Sequence, residues 1–193
     1  MTGKERESFC PASRQEWRAW LKENHQTKQS VWLVYYKKKS GLSVMSWPEA
    51  VEEALCFGWI DSVRRSVDDE KFIQLFSRRK LKSVWSKINK EKVQSLMDRR
   101  LMTQAGYESV EAAKQNGSWT LLDDAETLKI PDDLEAEFKL RPGSGDYFMS
   151  LSKSARKAIL QWLVLARQQV TRKKRIIMIA ESAAKQLKPE QFR

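Results

Sequence analysis

Trp59 and Asp61 stand two residues apart with Arg64 close behind, and a basic tract with an embedded tryptophan follows, supplying Arg78, Arg79, Trp85, Lys87 and Asn89. If residues 59–67 are a strand, Trp59 and Asp61 share a face, because side chains alternate along extended backbone. An aromatic plate beside a carboxylate, with arginines near in sequence, suits a small ligand carrying both signs of charge. Arginine offers a planar fork to phosphate or carboxylate, and a helix starting at Asn89 would add the positive end of its dipole. The candidate ligand-binding set is therefore Trp59, Asp61, Arg64, Arg78, Arg79, Trp85, Lys87 and Asn89. A competing reading keeps Trp59 and Trp85 in the core, pairs Asp61 with an arginine and leaves the bases as a solvated surface.

Catalytic and metal chemistry find less support. His25 has no Cys, second His or carboxylate at ligand spacing, and Cys10 and Cys56 suit neither a metal site nor a disulfide framework. The acidic pairs Asp68-Asp69 and Asp132-Asp133 fall at an expected turn and helix start, not in a protected cleft. There is no nucleophile elbow, no phosphate-binding glycine loop with Lys-Ser/Thr and no His-Glu-x-x-His. No catalytic residue and no cofactor is assigned, and the chain reads as a non-enzymatic binding or adaptor protein.

The 193 residues, 41% hydrophobic and 32% charged, are too apolar for a disordered chain. The apolar runs are far shorter than the roughly 20 residues that span a bilayer. The polar start lacks a signal-peptide core, which predicts a cytoplasmic protein. The net charge of +11 favours an anionic small molecule or an acidic protein as partner. Its distribution is uneven: ten bases oppose two acids over residues 71–100, eight acids oppose three bases over 123–146, and eleven bases oppose two acids from 147 onward. The acidic stretch reads as a linker, which predicts an α+β domain over 1–122 and a linker with a helical unit over 123–193, the boundary falling between Leu121 and Pro131.

Local signals set the elements that must position these residues. Ser13-Arg14-Gln15-Glu16 and Ser46-Trp47-Pro48-Glu49 are capping boxes, each opening a helix. The first carries Trp17, Trp20 and Leu21 and ends near Asn24-His25; the second carries Ala50, Val51, Ala54 and Leu55 and stops at Gly58. Val31 to Tyr36 reads as a strand covered on both faces, followed by a polar turn at 37–41 and a short extended piece at 42–45. Residues 59–67 and 71–76 flank Asp68-Asp69-Glu70 as a hairpin. Asn89 caps a helix bearing Val93, Leu96 and Met97, and another runs from Gly106 to Gly117. Pro131 opens a helix with acids at its start, Pro142-Gly143-Ser144-Gly145 breaks the chain, and two amphipathic helices follow, the second capped by Thr171. The fold class is α+β, a small, mostly antiparallel sheet with packed helices followed by a helical C-terminal unit.

Several segments together resemble the YdeI/OmpD-associated, or bacteriocin-protection, family. The resemblance is carried by Trp20-Leu21 with Asn24-His25, by Val31-Trp32-Leu33, by the run from Glu53 to Ser62 with its Cys-Phe-Gly-Trp-Ile-Asp string, and by Ser83-Val84-Trp85-Ser86-Lys87 with Asn89. In the tail it is carried by Pro131-Asp132-Asp133-Leu134, Trp162, Ala166, Thr171-Arg172 and Arg175-Ile176. One departure is Arg78, where the family pattern has proline after the serine. The resemblance implies a role in antimicrobial-peptide or envelope-stress tolerance and transfers no site residues; the charge of +11, which repels cationic peptides, makes that role indirect. A second class of function is nucleic-acid binding by a basic, Trp-containing surface, with the 171–175 stretch as the best contact. A third is a small enzyme whose pocket gathers Trp59, Asp61, Arg64 and Lys87.

Overall fold

The computed structural model describes residues 7–37 and 45–193, and the expected turn at 37–41 and extended piece at 42–45 lie almost wholly outside them. The chain divides into two compact units, Met1–Trp119 and Thr120–Arg193. In the first, a four-stranded sheet is built from β1 (Ser8–Phe9), β2 (Ser30–Tyr36), β3 (Trp59–Ser66) and β4 (Lys71–Arg78) in the order β1-β2-β4-β3. β1 pairs parallel to β2, and the other pairings are antiparallel, so the fold is α+β with a mostly antiparallel sheet, as its residue pattern predicts. The hairpin turns where Asp68 accepts from the N–H groups of Glu70 and Lys71, each at 2.7 Å.

α1 (Arg14–Asn24) and α2 (Trp47–Cys56) begin where the capping signals place them. The two boxes differ in detail. Ser46 and Glu49 make the full reciprocal pair, whereas Glu16 passes over the Ser13 N–H and accepts from Ala12 N at 2.5 Å. Gly58, at φ +70°, ends the second helix and turns the chain into β3. α3 (Lys87–Asp98) starts earlier than Asn89 suggests: Ser86 is its cap, accepting from Asn89 N at 3.3 Å, because the serine three residues upstream can already close the first turn. α4 (Gln104–Gln115) likewise starts before Gly106, which lies inside it. A Cβ at Gly106 would sit 2.3 Å from the Cys56 carbonyl oxygen, so this glycine lets α4 cross closely over the end of α2.

The core of this unit joins Trp17, Leu21, Val31, Leu33, Ala54, Leu55, Trp59, Phe76, Trp85, Val93 and Val110. Buried Glu53 ties α1 to α2, accepting from Arg14 Nε at 2.5 Å and Arg18 Nη1 at 2.6 Å, while Glu52 meets Lys92 of α3 at 3.3 Å.

The second unit is helical: α5 (Asp123–Glu126), α6 (Asp132–Lys139), α7 (Ser144–Ser150), α8 (Lys153–Val164) and α9 (Gln169–Ala184). The acidic segment read as a linker is instead folded into it. Ala125, Leu134 and Phe138 enter a core with Phe148, Ile159, Leu163 and Ile179, while Asp124, Asp132, Asp133 and Glu135 stay exposed and the half-buried Glu126 accepts from Lys157 and Gln161. Its amphipathic period outweighs its charge in deciding this. Gly143, at φ +78°, makes the expected break and caps α7. α9 begins at Gln169 with no side-chain cap, so Thr171 lies within its first turn and is not its N-cap.

Candidate functional site

A cavity of about 390 Å³ opens in the first unit, within the usual range for small-molecule sites. Gly58 and Phe57 line it where α2 gives way to β3. Arg78 and Arg79 line it at the end of β4, Lys80, Leu81 and Trp85 in the connection to α3, and His25 and Gln26 after α1. A further wall is one face of α4, formed by Ala105, Glu108, Ser109 and Ala112 at helical spacing.

Local contacts explain the shape. The Arg79 N–H donates to Gly58 O at 2.9 Å, which carries the hairpin pairing one residue past β4. Asn116 Nδ2 donates to Leu81 O at 2.7 Å, tying the 80–84 loop to the end of α4. Gly58 approaches α4 so closely that a Cβ there would lie 3.0 Å from Ala105 O and 3.2 Å from Ser109 Cβ.

The two arginines do different work. Arg78 donates from Nε and Nη2 to His25 O at 3.2 and 2.8 Å, and Trp59 Nε1 donates to the same oxygen at 3.2 Å, so Arg78 braces the end of α1. Arg79 lies over the Trp85 ring, 3.7 Å from its centre, and donates from Nη2 to Val84 O at 2.7 Å. Trp85 is buried and packs on Trp119 at 5.0 Å between ring centres. Among the described residues no carboxylate forms an ion pair with Arg79. Burial pulls its pKa down to about 10, opposed only by the field of Asp61. Glu108 faces the same cavity but accepts from its own helix, from Gln104 Nε2 at 3.1 Å.

Of the residues singled out in the sequence, Arg78, Arg79 and Trp85 meet at this cavity, and the others do not line it. Trp59 is fully buried in the core. Asp61 belongs to a separate polar cluster, accepting on Oδ2 from Trp47 Nε1 at 3.0 Å and Gln74 Nε2 at 3.4 Å. Burial raises the Asp61 pKa against the pull of the indole N–H. Arg64 stacks on Phe72 at 3.8 Å, Lys87 pairs with Glu91 at 3.8 Å, and Asn89 sits in the first turn of α3. The α4 wall, Leu81 and Gln26 are cavity-lining residues that sequence reasoning missed. Only the spacing of 105, 108, 109 and 112 hinted at a common face.

The basic stretch of α9 is partly committed elsewhere. Arg172 makes a two-pronged bond to Asp133, at 2.6 and 2.9 Å, and Arg175 donates to Trp162 O while lying over its ring. No helix among the described residues is long and apolar enough to cross a membrane.

The fold and cavity define the class: an α+β protein with a helical second unit and a cationic, tryptophan-backed pocket in the first. Residues 9–109, more than half of the chain, match the family described as a domain of unknown function (DUF8412), and the chain belongs to that family. Residues 127–186 match the bacteriocin-protection, YdeI or OmpD-associated family, the one its motifs resemble. That match covers the tail, so the Cys-Phe-Gly-Trp-Ile-Asp run and every pocket-lining residue except Ala112 fall within the other family's span. No curated protein and no solved structure gives a significant match.

Proposed function

We propose that the first unit is a non-enzymatic binding module for a small molecule bearing an anionic group, with Arg79 as the anchoring cation and Trp85 as the plate behind it. The observation that carries this reading is the half-buried Arg79 guanidinium, which faces a cavity without a paired carboxylate. Buried charges in proteins are normally paired, and an arginine held flat on an indole is pre-organised to receive carboxylate or phosphate. Arg78 and Lys80 add positive potential at the same wall.

The bacteriocin-protection match of the second unit supports a place in antimicrobial-peptide or envelope-stress tolerance. A net charge of +11 repels cationic peptides, so the contribution is indirect, through the bound anion or an acidic partner in the cytoplasm. Titration calorimetry at low salt against phosphate monoesters, dicarboxylates and amino acids tests the pocket. At least one class should bind the wild type, and Arg79→Ala should weaken it tenfold or more. Absence of binding across the panel, or binding indifferent to Arg79→Ala, would overturn the reading.

A further inference from the structure

We infer that the molecule taken by this pocket is a small zwitterion, an amino acid or short peptide with an apolar side chain, whose carboxylate lies at Arg79 and whose ammonium lies at Glu108. This rests on the anion-binding reading and specifies the rest of the ligand. Arg79, just after β4, and Glu108, on α4, line one cavity from different elements, yet they form no ion pair with each other. Each is held back by its own wall. The guanidinium is fixed by the Trp85 ring and the Val84 carbonyl, and the carboxylate by Gln104 one turn earlier on α4.

The cavity of about 390 Å³ is lined by the Glu108 carboxylate and by three bases, of which Arg78 is bonded to the His25 carbonyl and Lys80 adds positive potential beside Arg79, so a molecule that presents a carboxylate to Arg79 and an ammonium to Glu108 matches both signs of charge in its lining. A purely anionic ligand would satisfy Arg79 but face the Glu108 carboxylate. A cation would do the reverse. The same cavity is lined by Phe57, Leu81, Ala105 and Ala112, which suit an apolar side chain, and the Ser109 hydroxyl is a further hydrogen-bonding group. The small residues at 105 and 112 keep this part of the cavity open.

The test uses the full chain and calorimetry with phenylalanine, leucine and their dipeptides, each beside its N-acetyl and C-amide counterpart. The expected result is that a free zwitterion binds more tightly than both blocked forms. Glu108→Gln, on an exposed helix face and still able to accept from Gln104, should lower zwitterion affinity about twofold to fivefold and leave the N-acetyl form unchanged, as suits a solvent-accessible ion pair. Arg79→Ala should weaken zwitterion and N-acetyl form alike. The inference is overturned if N-acetylation costs no affinity, if Glu108→Gln leaves the preference for the free amine intact, or if no zwitterion binds. In each case the anion-binding reading is judged separately, by whether phosphate monoesters or dicarboxylates bind and lose affinity in Arg79→Ala.

Discussion

Burying the charge of Arg79 works against folding in the free protein, beside the contacts its guanidinium makes with Trp85 and the Val84 carbonyl. Its pKa is depressed to about 10 by burial, so the folded chain holds this proton less tightly than the unfolded chain does. The penalty is present at every pH below about 10 and is relieved only as pH climbs from there toward the ordinary arginine value. Arg79→Met keeps a flexible apolar stem against Trp85 and removes the unpaired charge. We expect its thermal unfolding in the absence of ligand to lie within about 1 kcal/mol of wild type, or above it, while anion binding is lost. A large fall in stability would show that the guanidinium serves the fold instead. Composition pointed to the arginines at 78 and 79 but could not separate their roles. Arg78 is spent on the His25 carbonyl, and its neighbour turns to Trp85.

Among the elements, α4 decides whether a pocket exists at all. Its position depends on Gly106, where the helix passes so close to the Cys56 carbonyl that a methyl group meets backbone at 2.3 Å and Met102 Cε at 2.8 Å. Gly106→Ala gains helix propensity at an interior position, about 1 kcal/mol, but forces the helix away from α2. We expect a net loss of about 1–3 kcal/mol by urea unfolding, together with weakened ligand binding, because the moving helix carries Ala105, Glu108 and Ser109. Unchanged stability would mean that α4 is not held by this contact. Thr103 supports the same junction: its hydroxyl donates to Cys56 O at 2.6 Å, and so contributes no cap to α4.

At the scale of the whole chain, each unit has its own apolar core, and each responds to acid through its own carboxylates. In the second unit the Arg172 hydrogen bonds hold the Asp133 pKa below the usual aspartate range. A carboxylate with a depressed folded pKa contributes stability that is present above its unfolded pKa and is lost as pH falls through the folded value. Asp133→Asn should therefore be less stable than wild type near neutrality, and the gap should narrow as pH drops below about 4. Chemical denaturation at pH 7 and pH 3, followed by hydrogen exchange of the second unit's amides, reads that difference. A gap that stays constant with pH would remove the ion pair as its cause.

The sequence by itself determined the helix starts at Ser13 and Ser46, the stop at Gly58, the hairpin about Asp68, the helical tail and the family to which that tail is matched. These are local matters, set by caps, positive-φ glycines and hydrophobic period within a few residues. The acidic stretch misled because charge marks a solvated face, and a helix can carry such a face while burying Leu134 and Phe138 on the other. Only the tertiary structure decided that Asp61 turns to Trp47 and Gln74 while Arg79 turns to Trp85 and a wall of α4. Which residues meet across a cavity depends on close approach between distant segments, here at Gly58 and Gly106, and neither spacing nor composition along the chain records that distance.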